Sequence, residues 1–249
     1  MIHAEVIRIE RNTPTVRTLY FRWDYEVKPG QFIMVWVPGT GEIPISLSSI
    51  GAEKSITVKS YGPASDAIVK LTAGSRLFFR GPYGRQFSVV NGPILLVGGG
   101  SGMASLSPLI TKNTDAIVSA RSADELLFSE RIPEGRIIRV TDDGSAGIKG
   151  NPINALETVD TEKYGMIYVC GPEIMLKKVY DFLTFRKVRA EFALERLMKC
   201  GVGVCDSCSI DGMQLCRDGS IFSIDDLKKM PEFGRTKLTE SGRRVFFNH

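Results

Sequence analysis

The stretch CGVGVCDSCSIDGMQLC, residues 200–216, holds four of the five cysteines of this 249-residue chain. Their spacing is C-x4-C-x2-C-x7-C, and the four residues are Cys200, Cys205, Cys208 and Cys216. Thiolates gathered over so short a stretch are typical of a shared metal centre, and the first two gaps match the plant-type [2Fe–2S] pattern. Gly201 and Gly203 can adopt the positive-φ backbone that turns N–H groups toward sulfur. The spacing predicts that the four cysteines hold a [2Fe–2S] cluster.

A structural zinc site is the alternative, because four thiolates also suit tetrahedral zinc. Zinc ribbons usually pair two short C-x2-C hairpins across a longer gap, whereas here one loop supplies three of the four cysteines. The spacing and the glycines therefore favour iron–sulfur. A disulfide framework is not expected in a mid-sized chain without a secretory signal.

The composition is that of a globular protein, with 43% hydrophobic and 24% charged residues. The net charge of +4 comes without a basic stripe interleaved with aromatic residues, so nucleic acid binding is not expected. Residues 86–111 are uncharged, but Pro93, Pro108 and a glycine run argue against a membrane span. We expect a cytoplasmic protein. The two histidines, His3 and His249, lie at the chain ends, which disfavours histidine-based catalysis.

Residues 1–90 are predicted to form a small antiparallel β-barrel. Short apolar or alternating runs recur between turn signals such as Pro29-Gly30 and Gly81-Pro82, a spacing typical of small barrels. The expected strands are residues 4–9, 16–23, 31–37, 55–59 and 76–80.

Residues 91–194 are expected to form an α/β domain with a parallel sheet. The apolar run 94–97 is typical of a buried strand. Strands are also expected at 116–120, 137–140 and 166–169, alternating with helices that include 124–129 and 151–158. A glycine turn between strand and helix presents N–H groups to a diphosphate. It predicts dinucleotide contacts at Gly98, Gly99, Gly100, Gly102 and Met103.

Arg121 follows the second strand of this domain, where the adenosine ribose is expected. Its guanidinium can bind a 2′-phosphate, stack on adenine or simply be solvated, so these residues leave NAD or NADP open. Cys170 follows a strand at the edge where open α/β sheets bind ligands, although a buried thiol is the alternative.

The order of motifs in the first 90 residues resembles the flavin-binding barrel of the ferredoxin–NADP⁺ reductase superfamily. The motifs are IPISLS (43–48), VKSYGPAS (58–65) and GPYG (81–84). The resemblance implies FAD bound by Pro44, Ile45, Ser46, Leu47, Lys59, Ser60, Gly62, Ala64 and Ser65. The superfamily usually has Arg where this chain has Ile43, so Lys59 or another cation is expected to replace it.

In the same superfamily a Cys-Gly-Pro lies beside the nicotinamide. The resemblance therefore implies that Gly171, Pro172 and Glu173 bind the dinucleotide. It also implies catalytic roles for Cys170 and for Ser46, whose hydroxyl would lie near flavin N5 or O4.

Residues 195–249 are expected to form a cluster domain with a basic tail at 231–249, which either docks a partner or is loosely ordered. With its lead-in Glu195-Arg196-x-Met198, the three-module chain resembles the electron-transfer subunit of type B dihydroorotate dehydrogenase. The resemblance implies a separate FMN-containing catalytic subunit, in a heterotetramer of two plus two. Electrons would pass through [2Fe–2S] and FAD to NAD⁺ in pyrimidine biosynthesis, and this chain alone would not oxidise dihydroorotate.

Two other functions remain open at this point. The same modules occur in subunits of sulfhydrogenases, ferredoxin-dependent transhydrogenases and sulfite reductases. A non-enzymatic, zinc-stabilised nucleotide-binding protein is the alternative from another class, and it would be colourless.

Overall fold

The computed structural model describes residues 1–247, so His249 lies outside the described residues. The first region has six strands and one helix: β1 (Ile2–Arg11), β2 (Val16–Phe21), β3 (Phe32–Val37), β4 (Gly41–Ile50), β5 (Lys54–Lys59), α1 (Pro63–Val69) and β6 (Arg76–Tyr83). The strands pair antiparallel in the order β1-β2-β5-β4-β3-β6 and close into a barrel. The predicted β-barrel is confirmed.

The barrel core is built by strand alternation, which sends successive side chains to opposite faces. Ile33 and Val35 of β3 are fully buried, as is Leu19 of β2. In β4, Ile45 and Leu47 belong to this core, whereas Pro44 and Ser46 are half-buried on the other face. The outward face of β4 is therefore available to form one wall of a site.

The second region alternates strands and helices around a parallel sheet. Its elements are β7 (Ile94–Gly99), α2 (Gly102–Leu106), β8 (Thr114–Ala120), β9 (Ile137–Thr141), β10 (Ile148–Lys149), α3 (Pro152–Leu156), β11 (Met166–Cys170), α4 (Glu173–Thr184) and β12 (Ala190–Ala193). The order is β10-β9-β8-β7-β11-β12, all parallel. This confirms the predicted α/β architecture.

One helix expected in this region is wrong. Residues 124–129 form no α-helix, and two short 3₁₀ turns, Ala123–Glu125 and Ser129–Arg131, stand in the segment. Between them Phe128 has φ of 59° and lies in the left-handed region, which interrupts helical hydrogen bonding. Its buried ring packs under the guanidinium of Arg131, 3.6 Å from the ring centroid, and this packing offsets the backbone strain.

The C-terminal region adds β13 (Ser209–Ile210), β14 (Met213–Gln214), α5 (Leu215–Asp218), β15 (Ile221–Ser223), α6 (Ile224–Leu227), β16 (Thr236–Leu238) and β17 (Arg244–Phe246). Strand β15 pairs antiparallel with β12 and becomes the seventh strand of the large sheet. Strands β16 and β17 form a hairpin in the basic tail, preceded by the buried Phe233. Within residues 1–247, no helix is long and apolar enough to cross a membrane.

Candidate functional site

Two clefts meet between the barrel and the parallel sheet. The first has a volume of about 1060 Å³ and runs along β4, β5 and the start of α1. The second, of about 410 Å³, lies at the carboxyl ends of β7, β8, β9 and β11. Both are lined by Lys59, Tyr61, Ser101 and Glu195. The two clefts therefore adjoin at these four residues.

The barrel wall of the first cleft holds three of the predicted flavin contacts. Pro44, Ile45 and Ser46 line it, with the half-buried Pro44 and Ser46 on the outward face of β4. Leu47 does not: its side chain is 1% exposed in the barrel core, because alternation along β4 turns it inward. The sequence prediction that Leu47 contacts the flavin is therefore corrected for its side chain.

The far end of the first cleft is the turn from β5 into α1. The Ser65 hydroxyl accepts hydrogen bonds from the backbone N–H groups of Tyr61 and Gly62, at 2.9 and 3.0 Å. A Cβ added at Gly62 would meet no atom within 4 Å, so the backbone here is open to an approaching group. Gly62, Ala64 and Ser65 line the cleft together with Lys59. These features fit a pyrophosphate, which favours backbone amides and a nearby cation.

Two residues predicted at this end have other partners. The Ser60 hydroxyl donates to the Asp66 carboxylate and lies outside the cleft lining, so its expected flavin contact stays a prediction. Lys59 lines both clefts, and its ammonium lies 3.3 Å from Glu125 of the α/β domain. Its charge is therefore placed between the barrel and the sheet.

The second cleft contains most of the predicted dinucleotide contacts. Its lining includes Gly99, Gly100, Gly102, Arg121, Gly171 and Pro172. Gly100 has φ of 53° and open space around its Cβ position, so the turn presents bare backbone to the cleft. A Cβ at Gly102 would lie 2.6 Å from the carbonyl of Cys170, so α2 and β11 approach as closely as they do because Gly102 lacks a side chain.

Three predicted dinucleotide contacts lie elsewhere. Met103 is fully buried, and a Cβ at Gly98 would be 2.5 Å from its sulfur, so both residues serve packing between β7 and α2. Glu173 turns away from the cleft, and its carboxylate accepts a hydrogen bond from Arg196 at 2.5 Å. Sequence position at a cleft edge does not fix side-chain direction, and burial decided it at Met103 and Glu173.

Cys170 lies beneath the cleft floor. Its thiol is 1% exposed, and burial raises its pKa well above the usual range, with the charge of Glu195 adding to the effect. Ser105, its hydrogen-bonding neighbour, and Glu195 line the first cleft, and a catalytic role for Cys170 stays a prediction.

Glu195 is a cleft residue that the sequence reading left without a role. It lies at the junction of the clefts, lines both of them and has an exposed side chain. It follows the carboxyl end of β12, which was the signal that could have identified it. Glu125 and Asp142 also line the second cleft, so acidic groups do lie near the expected ribose.

The cysteine loop folds with its backbone amides turned toward sulfur. Gly201 and Gly203 have φ of 71° and 77°, as the sequence predicted. The Cys200 sulfur accepts from the N–H groups of Val202 and Val204, both at 3.4 Å, and the Cys216 sulfur accepts from Gly203 at 3.1 Å. Burial opposes ionisation of Cys200, but these amides and the neighbouring Cys205 thiol outweigh it and lower its pKa to about 6. The loop is thus built to stabilise thiolates.

The four cysteine side chains do not converge on a single point. The thiol of Cys200 neighbours that of Cys205, and the buried Cys208 neighbours Cys216, whose pKa burial raises to about 12. Over residues 1–247, no three side chains of His, Cys, Asp or Glu converge closely enough to hold one ion. The preference for an iron–sulfur cluster over zinc therefore rests on the cysteine spacing.

The loop is seated on the barrel. A Cβ at Gly201 would lie 2.9 Å from Cγ of Met34 and 3.5 Å from Nη1 of Arg80. Arg80 donates two hydrogen bonds to Glu42, at 2.7 and 2.6 Å, and Glu42 lines the first cleft. The cysteine loop and the first cleft therefore share one stretch of barrel wall.

The comparisons with known proteins agree with this architecture. Residues 195–228 match the family model described as the iron-sulfur cluster binding domain of dihydroorotate dehydrogenase B. The structure is similar to that of an NADH-dependent reduced ferredoxin-NADP oxidoreductase, with a TM-score of 0.80, 24% identity and 94% of each chain covered. It is also similar to a ferredoxin NADP⁺ reductase from Neisseria gonorrhoeae, with a TM-score of 0.59 and 20% identity over 78% of this chain and 98% of that one. These structural similarities establish the fold.

Two curated relatives extend over the full chain. One, from Thermoplasma acidophilum, is 51% identical and covers 100% of this chain and 99% of its own length. Another, from Methanothermobacter thermautotrophicus, is 43% identical over 97% of this chain and 96% of its own length. Both are described as a probable dihydroorotate dehydrogenase B (NAD(+)), electron transfer subunit. The chain therefore belongs to the family of dihydroorotate dehydrogenase B electron transfer subunits.

Proposed function

We propose that this chain passes electrons from the FMN of a separate dihydroorotate dehydrogenase catalytic subunit to NAD⁺, using a [2Fe–2S] cluster and FAD, in pyrimidine biosynthesis. One observation carries the proposal: residues 194–199 line the first cleft and lead directly into Cys200. A single short segment thus connects the expected flavin site to the expected cluster. The first cleft in turn adjoins the glycine-rich second cleft.

The groups proposed for these sites suit the residues present. Flavin exchanges both single electrons and hydride, the cluster exchanges single electrons, and nicotinamide exchanges hydride. Pro44 and Ser46 would orient the flavin ring, and Lys59 with the Gly62–Ser65 turn would hold its pyrophosphate. Gly99, Gly100 and Gly171 have no side chains and would let the dinucleotide approach the backbone closely. Glu195, which lines both clefts, would act at their junction.

The cluster loop also supports a partner subunit. Val202 and Val204 are 47% and 78% exposed, and the neighbouring Cys205 is exposed as well. Exposed apolar side chains beside a redox centre suit a docking surface, since burying them on association is favourable. We propose an assembly of two electron-transfer and two FMN-containing subunits, with this loop facing the FMN. We also propose the cytoplasm as its location, because thiolate ligands need a reducing compartment.

The test is to purify the chain without oxygen, alone and with the catalytic subunit. Alone, it should be red-brown, contain flavin, iron and labile sulfide, and reduce an artificial dye with NADH, but leave dihydroorotate unoxidised. With the catalytic subunit, orotate formation should reduce NAD⁺. A colourless chain with one bound zinc would refute the redox function, and dihydroorotate oxidation by the chain alone would refute the two-subunit scheme. A flavin–iron chain that fails to couple to orotate formation would instead point to a different redox complex.

A further inference from the structure

Arg196 and Glu173 form a buried ion pair next to both clefts. Nη2 of Arg196 donates to Oε1 of Glu173 over 2.5 Å, and each side chain is 6% exposed. Glu173 opens α4, directly after the Gly171-Pro172 wall of the second cleft. Arg196 lines the first cleft and lies four residues before Cys200. The pair therefore joins the dinucleotide loop to the segment that leads into the cluster loop.

The same pair also holds the C-terminal hairpin. The N–H of Gly234 donates to Oε1 of Glu173 at 2.8 Å, and Nη1 of Arg196 donates to the carbonyl of Thr236 at 2.5 Å. Gly234 has φ of 73°, and a Cβ there would lie 2.6 Å from the Lys177 side chain, so the close approach needs glycine. The Glu173 carboxylate, the Arg196 guanidinium, the Gly234 N–H and the Thr236 carbonyl thus hold together three segments that are distant in sequence.

The energetics favour a geometric role over a stabilising one. Within residues 1–247, Oε2 of Glu173 and Nε of Arg196 are buried without hydrogen-bond partners. A buried ion pair with unsatisfied atoms recovers its desolvation cost incompletely, and an apolar pair often stabilises a fold as well or better. What the charged pair adds is direction, because the planar guanidinium fixes two acceptors at defined angles.

We propose that Arg196 and Glu173 are positioning residues that fix the cluster loop relative to the dinucleotide loop. The proposal rests on the redox function proposed above. Arg196 acts through the backbone of residues 197–199, which continues into Cys200. Loss of the pair should leave the four cysteines and both clefts in place but let the cluster loop shift against the barrel. Losing an outer support of a metal centre typically costs about 10–100-fold in activity, and we expect a loss of that size in cluster reduction.

The experiment compares Arg196→Met, Arg196→Lys and Glu173→Gln in the full chain. Arg139→Met is the matched control, because Arg139 makes a two-bond pair with Glu134 on the surface of the α/β domain. Iron, sulfide and flavin contents are measured first. The electron paramagnetic resonance spectrum and reduction potential of the chemically reduced cluster follow, and then the rates at which NADH reduces a dye and the cluster.

Arg196→Met should keep its cluster, slow cluster reduction about 10–100-fold relative to its own rate of dye reduction and alter the spectrum and potential. Arg196→Lys should fall between it and the parent, and Arg139→Met should match the parent. Unchanged spectrum, potential and cluster reduction in Arg196→Met overturn the proposal. If Arg196→Met loses its cluster, the same measurements are made on Glu173→Gln, which keeps an acceptor oxygen and the side-chain size. Loss of the cluster in Glu173→Gln as well would assign the pair a structural role and refute the positioning role. A parent chain without flavin or cluster refutes the proposed function instead, before any variant is compared.

Discussion

Gly102→Ala tests whether close packing of α2 against β11 builds the dinucleotide cleft. The added Cβ would lie 2.6 Å from the carbonyl carbon and oxygen of Cys170 and from the nitrogen of Gly171. Ordinary contact begins at 3.4 Å, so one side must move by about 0.8 Å. The β11 side is held, because Cys170 is paired with Gly98 of β7 and with Ala193 of β12. Helix α2 must therefore move away from the sheet.

Forcing a methyl group into a packed interior costs about 1–3 kcal/mol. We expect about 2–3 kcal/mol here, the upper part of that range, because all three atoms that the methyl meets belong to the backbone and cannot rotate away. For a chain of this size that corresponds to a fall of roughly 4–12 °C in Tm. Because Ser101 and Gly102 line the second cleft, a displacement approaching 1 Å should also weaken NADH binding by about 10–100-fold.

The assay pairs calorimetric unfolding with a fluorescence titration of NADH. Gly51→Ala is the matched control: its Cβ would meet no atom within 4 Å, and its backbone needs no positive φ. It should stay within about 0.5 kcal/mol of the parent. If Gly102→Ala also unfolds and binds NADH like the parent, the close approach of α2 does not determine the cleft and the reasoning fails.

Three further predictions concern the cluster loop and the sheet. Cys205→Ser should lose most of the iron and sulfide while keeping flavin; full cluster content would exclude Cys205 as a ligand. Gly203→Ala should destabilise the loop by about 1–2 kcal/mol through backbone strain, and the added Cβ would also lie 2.9 Å from the Arg217 side chain. Gly212→Ala is the control, because it has the same backbone strain but no atom near the added Cβ. Iron loss to a chelator should therefore be faster in Gly203→Ala than in Gly212→Ala. Equal rates would remove the crowding argument. Burial raises the pKa of Tyr168 from 10 to about 12, so its contribution to stability is complete below pH 10 and is lost as pH rises through 12. Tyr168→Phe should lower the free energy of unfolding by about 1 kcal/mol at neutral pH and make that free energy fall less steeply at alkaline pH. If chemical denaturation shows the same fall at alkaline pH in the variant as in the parent, the prediction is contradicted.

The architecture was predictable where local pattern and tertiary environment agree. The run at 94–97 is apolar on every residue because β7 is buried between layers, and the glycines after it fit a turn at the cleft edge. The segment 124–129 had helical composition, but the placement of Phe128 under Arg131 overrode it. Strand β15 was not expected, because three residues carry no periodic signal and their pairing with β12 is a long-range event.

The candidate site also has a part that the sequence predicts and a part that it does not. The predicted cluster ligands follow from cysteine spacing alone, since a cluster would need four sulfurs within one loop and a nearby turn. Ser46 and Leu47 could not be separated without the register of β4, and the two differ only in which face they occupy. Glu173 follows Gly171-Pro172 as a dinucleotide contact should, but its carboxylate pairs with Arg196. Their separation in sequence gives no sign of this pairing. Side-chain direction at cleft edges is thus the part that needed coordinates.

The cluster region is bounded by the sheet at both ends, and this explains why no linker marks its start in the sequence. Strands β12 and β15 are neighbours in the sheet, so residues 194–220 form an excursion between two paired strands. The N–H of Leu194 donates to the carbonyl of Ser220 at 2.8 Å and closes the base of this excursion. A loop closed at its base can vary its position far less than a domain on a flexible tether. Because β12 also pairs with β11, which carries the Gly171-Pro172 wall, the cysteine loop and the dinucleotide cleft share one rigid support. Strand pairing therefore fixes the base of the cluster region, and the Arg196–Glu173 pair acts on the segment beyond that base.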